Sequence, residues 1–222
     1  MSDLLECVEV QTKATAEATV ILLHGLGADG YDFVPVVREL ENHGAPPARY
    51  VFPHAPAMPV TINGGYVMRA WYDILGTDLV RREDEQGIRT SHGMVEALIE
   101  REVGRGVPRS RIVLAGFSQG GAITLHTGLR QSQPLAGLIA LSCYLPLADR
   151  FAGEAAAGSA GVPIFLAHGT QDPVVPLDRG VASRDALTTA GYAVEWHEYP
   201  MPHSVCAEEI RDIAAFMKRV LS

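Results

Sequence analysis

Four runs of this chain are apolar almost from end to end: Thr19–Leu23, Ile112–Ala115, Gly137–Ser142 and Pro163–His168. A strand can lack a polar face only where both faces of its sheet are covered, which is the condition of a parallel sheet flanked by helices. Segments between and beyond these runs carry apolar residues at helical spacing: Phe33, Val36, Val37 and Leu40, then Val95, Leu98, Ile99 and Val103, and finally Ile210, Ile213, Ala214, Met217 and Leu221. Leu4–Val10 and Ala193–Tyr199 alternate and read as strands near the sheet's edges, and Tyr50–Phe52 is a further short strand. Strands alternating with helices predict an α/β fold with a mostly parallel central sheet covered on both faces. At 222 residues, a single domain spanning 1–222 is expected. Phe151–Gly161 reads as an Ala/Gly-rich surface stretch, and Arg81–Glu85 as a solvated charge run.

In such sheets, ligands meet the loops at the carboxyl ends of the strands. Behind Ile112–Ala115 stands Gly116-Phe-Ser118-Gln-Gly120-Gly121, followed by an apolar helix through Leu129. A Gly-x-Ser-x-Gly turn between strand and helix holds its serine in a strained conformation with the hydroxyl lifted off the sheet. Behind Thr19–Leu23 comes His24-Gly25-Leu-Gly27-Ala-Asp-Gly30. Its letters match a dinucleotide fingerprint, but the last glycine precedes Tyr31-Asp-Phe rather than lying in a helix, and no acid ends the next strand. The same loop serves an oxyanion hole, in which small residues let a backbone N–H face the serine.

A serine hydroxyl needs an imidazole to take its proton and a carboxylate to fix and stabilise that imidazole. Asp172 and His203 follow the last two strands, and the chain order Ser, Asp, His is that of α/β-hydrolases. The rival acids are Asp149, which follows an earlier strand, and Asp178, which suits a helix start. His43, His92 and His197 lie in helix or strand patterns, while His24 and His168 each end a strand before a glycine and are expected to brace loops. A zinc site of His24, His168 and His203 lacks paired ligand spacing and leaves the elbow unexplained. Between Pro53 and Asp73 lies a long irregular excursion whose Met58, Val60, Ile62, Val67, Met68, Trp71 and Tyr72 are too apolar for disorder. It is expected to wall the site with apolar surface.

The net charge of −8 disfavours a nucleic-acid partner. Acids rather than bases open the chain, and no apolar run reaches ~18 residues, so neither a signal peptide nor stable membrane insertion is expected. Cys7, Cys143 and Cys206 are odd in number and widely spaced, which suits free thiols in a reducing cytoplasm.

Taken together, His24–Asp29, Thr61–Ile74, Gly116–Gly121, His168–Pro176 and Tyr199–Val205 resemble the bacterial carboxylesterase and acyl-protein thioesterase family. The resemblance implies an α/β-hydrolase without a large cap, with Ser118, Asp172 and His203 as triad and the backbone N–H groups of Leu26 and Gln119 as oxyanion hole. It further implies that Trp71 lines the acyl site, with Met58 and Met68 beside it, that a homodimer can form, and that a small ester or acyl compound is the substrate, with no metal or cofactor. Two positions depart from the family pattern: Pro202 stands where a glycine usually precedes the histidine, and Cys143 where Thr or Ser is common. The competing readings are other chemistry on the same fold, such as a dienelactone hydrolase or a peptidase, and a non-catalytic binding protein.

Overall fold

The computed structural model describes residues 4–76 and 83–222. In chain order the elements are β1 (Cys7–Gln11), β2 (Thr19–Leu23), α1 (Val36–Asn42), β3 (Arg49–Pro53), β4 (Ala57–Val60) and β5 (Tyr66–Arg69). They continue with α2 (Glu85–Gly104), β6 (Ile112–Phe117), α3 (Gln119–Gly128), β7 (Gly137–Leu141) and α4 (Ala148–Glu154). The chain ends with β8 (Ile164–Gly169), α5 (Leu177–Thr189), β9 (Val194–Tyr199) and α6 (Ala207–Val220). Seven strands form one sheet in the order β1-β3-β2-β6-β7-β8-β9. Only β1 runs antiparallel to its neighbour, so the alternating first strand is an edge and β9 is the other.

Side-chain alternation divides the core into two layers. Ile21, Leu23 and Leu114 point to the face covered by α2, α3 and α5, where they pack with Val95, Leu98, Ile123 and Leu187. Val20, Leu22 and Val113 point to the opposite face and meet Leu40 of α1 and Ile213, Phe216 and Met217 of α6. Every residue of β2 is buried, as its unbroken apolar run requires.

Three expectations change. Pro53–Asp73 is not irregular throughout: β4 and β5 pair antiparallel into a separate hairpin, with Met58 opposite Met68 and the turn made by Gly64 and Gly65 at φ 66° and 80°. Of the charge run at 81–85, Arg81 and Arg82 lie outside the described residues, and the next two side chains are structural. Asp84 caps α2 through Gly87 N–H at 2.9 Å and holds Asp73 N–H at 2.9 Å, while Glu83 accepts Leu147 N–H at 3.0 Å. Phe151–Gly161 contributes to the interior, since Phe151 packs in the core against Tyr192 and the Ser159 hydroxyl bonds the Leu129 carbonyl and Tyr192.

Candidate active site

The turn between β6 and α3 leaves Ser118 at φ 55°, a conformation that L residues avoid and that costs of order 1–3 kcal/mol. Its surroundings enforce it. A Cβ on Gly116 would stand 2.3 Å from the Gly120 carbonyl oxygen, one on Gly120 2.3 Å from the Leu23 oxygen, and one on Gly121 2.8 Å from Cys143 Sγ. Strand, helix and neighbouring strand thus meet backbone to backbone around the serine, and Ser118 N–H is tied to the Leu141 carbonyl at 2.8 Å.

The loops after β8 and β9 reach the same point. His203 Nε2 accepts the Ser118 hydroxyl at 2.9 Å, and its Nδ1–H donates to Asp172 Oδ2 at 2.6 Å. The other carboxylate oxygen, Oδ1, accepts the N–H groups of Val174 and Val175 at 2.8 and 2.9 Å, so Oδ2 is aimed rather than free to rotate. Phe117 supports the imidazole face at a ring separation of 4.7 Å. The loop after β9 is fastened to the end of β8, with Thr170 N–H on the Tyr199 oxygen at 2.8 Å and Gln171 N–H on the Met201 oxygen at 3.1 Å. Pro202 is accommodated there because its carbonyl carries the bond, accepting Ser204 N–H at 2.8 Å. Asp149 and Asp178 sit exposed in the first turns of α4 and α5.

The glycine loop after β2 is held beside the serine. His24, buried, donates from Nδ1 to the Gly25 carbonyl at 2.7 Å and accepts Ala55 N–H at Nε2, which defines its tautomer. Burial pushes the His24 pKa down, favouring this neutral ring. Gly27 N–H bonds the Arg69 oxygen at 2.9 Å, and the loop does not open a helix, since α1 begins only at Val36. Leu26 and Gln119 line one cavity with Ser118, and among the described residues neither of their backbone N–H groups enters a hydrogen bond. His168, fully buried, donates to the Val175 carbonyl at 2.8 Å and so steadies the Asp172 loop.

That cavity measures about 480 Å³ and is walled by Ile62, Ile74, Tyr72, Tyr144 and the Pro173–Pro176 turn, with Asn63 and Arg179 also in its lining. Trp71 is not among the lining residues. At 2 % exposure its indole N–H bonds the His24 carbonyl at 2.9 Å, and its backbone N–H and the Tyr72 carbonyl are clasped by the Gln119 amide at 2.8 and 2.6 Å. Trp71 therefore braces the glycine loop, and its neighbour Tyr72 presents the surface. Met58 and Met68 lie across the hairpin from each other outside the lining, with Met68 Sδ packed near Gly27 and accepting from Asn63 at 3.4 Å. Tyr144 and Arg179 had no local signal: one follows β7, the other lies in α5, and only the sheet order brings them to the serine.

A strained serine at a strand-to-helix turn on a parallel sheet covered on both faces is the arrangement of an α/β-hydrolase. The phospholipase/carboxylesterase family profile matches residues 5–221, and the chain belongs to that family, which makes it a hydrolase. It is 42 % identical over 217 residues to an acyl-protein thioesterase 1 of Neurospora crassa, covering 94 % of this chain and 89 % of the relative. A protein of the same designation in Cryptococcus neoformans is 37 % identical over 98 % of each chain. Among solved structures, Arabidopsis thaliana SOBER1 superposes with a TM-score of 0.85 at 30 % identity, covering 92 % of this chain and 99 % of that one. Zea mays acyl-protein thioesterase 2 superposes with a TM-score of 0.84 at 27 % identity, covering 98 % and 99 %.

Proposed function

We propose that the chain hydrolyses carboxylic esters, and thioesters of the kind its relatives' names denote, through an acyl-enzyme on Ser118. The observation that carries this reading is the unbroken chain Ser118 Oγ, His203, Asp172, with bonds of 2.9 and 2.6 Å. His203 Nε2 takes the hydroxyl proton as Oγ attacks the carbonyl carbon, and Asp172 stabilises the imidazolium that results. The N–H groups of Leu26 and Gln119 receive the oxyanion, each worth ~3 kcal/mol in the transition state. His203 then protonates the departing alcohol or thiol, and water repeats the sequence to free Ser118.

Two competitors lose support from particular residues. A dienelactone hydrolase would want a cysteine where Ser118 stands, and a binding protein would have no need for Ser118 to be held at φ 55° with a base against its hydroxyl. With the reading go a single working domain, a cytoplasmic setting, small ester or acyl substrates and the capacity to form a homodimer. Among the described residues no helix is long and apolar enough to cross a membrane, and the charge of −8 argues against nucleic acid. Substituting Ser118→Ala is expected to lower hydrolysis of a short p-nitrophenyl ester at least ~10⁴-fold without changing the melting temperature. A fluorophosphonate should label Ser118 alone in the native protein. Turnover that survives the substitution, or labelling at another serine, sinks the assignment.

A further inference from the structure

The cavity beside Ser118 is apolar over most of its wall, yet Tyr72, Tyr144 and Arg179 add polar groups to that lining. Tyr72 and Tyr144, both buried, face each other with their hydroxyl oxygens 2.9 Å apart. Two hydroxyls bring two hydrogens and their mutual bond uses one. Among the described residues, no acceptor takes the second. A buried O–H without an acceptor costs ~1–3 kcal/mol, so this position favours an oxygen supplied from the cavity.

Arg179, half-buried in the first turn of α5, lines the same cavity and lies close enough to Tyr144 to act on its hydroxyl electrostatically. Among the described residues no carboxylate lies within ion-pairing distance of its guanidinium, whereas Arg184 on the same helix pairs with Asp185 at 2.7 Å. Glu83 and Asp73 line a separate, smaller cavity with the tyrosines; Glu83 accepts Leu147 N–H and Asp73 accepts the backbone N–H and hydroxyl of Thr61. Burial pushes the Glu83 pKa up to about 7, so it carries only part of a charge at neutral pH.

The direction of the substrate follows from the base. The leaving group takes its proton from His203, and among the described residues His203 is not part of the cavity lining. The leaving group therefore departs on the His203 side and the acyl chain runs into the cavity, toward the tyrosine pair and Arg179. A largely apolar cavity whose lining also holds a cation and a spare hydroxyl hydrogen suits an acyl chain that carries an anionic oxygen beyond its apolar part.

We infer that this hydrolase prefers acyl groups that end in a carboxylate, that is, half-esters or half-thioesters of dicarboxylic acids, with Arg179 as the residue that sets the preference. The inference rests on the acyl-enzyme reading for the orientation of substrate. A carboxylate and a carboxamide of equal size separate charge from shape, so the test compares p-nitrophenyl hydrogen adipate with the p-nitrophenyl ester of the corresponding monoamide. The native enzyme should favour the carboxylate in kcat/KM on the order of tenfold, the effect of one charge-assisted contact. Arg179→Gln should bring the ratio to about one, and Arg179→Lys should keep part of it. A native ratio at or below one, or a ratio that Arg179→Gln leaves in place, overturns the inference. Calorimetric binding of both intact esters to Ser118→Ala protein reads the same preference without turnover. If the native protein hydrolyses neither ester the acyl-enzyme reading fails, and the binding ratio in Ser118→Ala with and without Arg179→Gln still decides the role of Arg179.

Discussion

At Gly120 a single methyl group would stand 2.3 Å from the Leu23 carbonyl oxygen, while across the cavity Ile62 and Val174 leave 41 and 60 % of their surface to solvent. The two sides answer to different constraints. Around Ser118 the tightest approaches, at Gly116 and Gly120, are to backbone atoms of α3 and of β2 and its following loop, which no rotamer change can move. On the facing wall the neighbours are side chains from a hairpin, from α5 and from the turn after β8, each free to vary without disturbing the sheet. The difference separates chemistry from choice: a fixed nucleophile can serve many substrates when the surface that selects them is built from replaceable parts.

The most severe way to break the contrast is Gly120→Ala. A Cβ within 2.6 Å of two carbonyl oxygens forces β2 and α3 apart, and a loss of soluble folded protein, or of more than ~4 kcal/mol in denaturant melts, is expected. Less costly to the fold, Asp172→Asn keeps an acceptor for the Val174 and Val175 N–H groups but removes the charge that faces His203. Turnover should fall ~10⁴-fold while the melting temperature holds within a few degrees. A rate close to native would mean that His203 does not depend on this carboxylate.

Gln119→Ala joins the two sides, because its amide is the link between the elbow and the Trp71-Tyr72 segment. Loss of both bonds should cost ~2–4 kcal/mol in denaturant melts and lower kcat more than KM, since the proposed oxyanion donors lose their brace. An unchanged kcat with reduced stability would make the clasp purely structural.

Glu209 tests the base side by pH. Its carboxyl is buried in the first turn of α6 behind the His203 loop, and burial pushes its pKa up from 4.5 to about 8. The folded state thus holds this proton more tightly than the unfolded one, so the stabilisation is complete below about 4.5 and is lost as pH rises through about 8. Glu209→Gln should flatten that alkaline decline in melts between pH 5 and 9; an identical slope would show that other groups govern it. The smallest effects belong to the exposed wall. Ile62→Ser and Val174→Ser should alter stability by less than ~0.5 kcal/mol yet raise KM for apolar acyl chains a few-fold. Stability losses as large as those at Gln119 would erase the proposed division.

The same division decides how much was legible in the sequence. Apolar runs announced the strands because each is buried on both faces, and the glycines around Ser118 announced the elbow because only Gly fits where backbones touch. The loops bearing Asp172 and His203 followed from chain order. The wall was not legible. Pro59 lies within β4, where a proline is tolerated because β4 belongs to a small two-stranded sheet outside the main one. Trp71 was expected at the substrate from the family resemblance and its place in an apolar excursion, yet partners far along the chain, Ser91, Gln119 and His24, draw it inward. Asp84 did carry a signal, an acid just ahead of a helical pattern, and a charged neighbourhood masked it.

Trp71 also gives the molecule an internal reporter. The chain has two tryptophans, and Trp196 on the outer strand is half-buried, so Trp196→Phe leaves one indole, hydrogen-bonded to the loop that carries Leu26. That indole lies 5.4 Å from the His24 ring. Its emission should be blue-shifted while the loop is docked and move to longer wavelength when the loop detaches. The docking of the glycine loop beside Ser118 can thus be followed by light, in real time and without substrate.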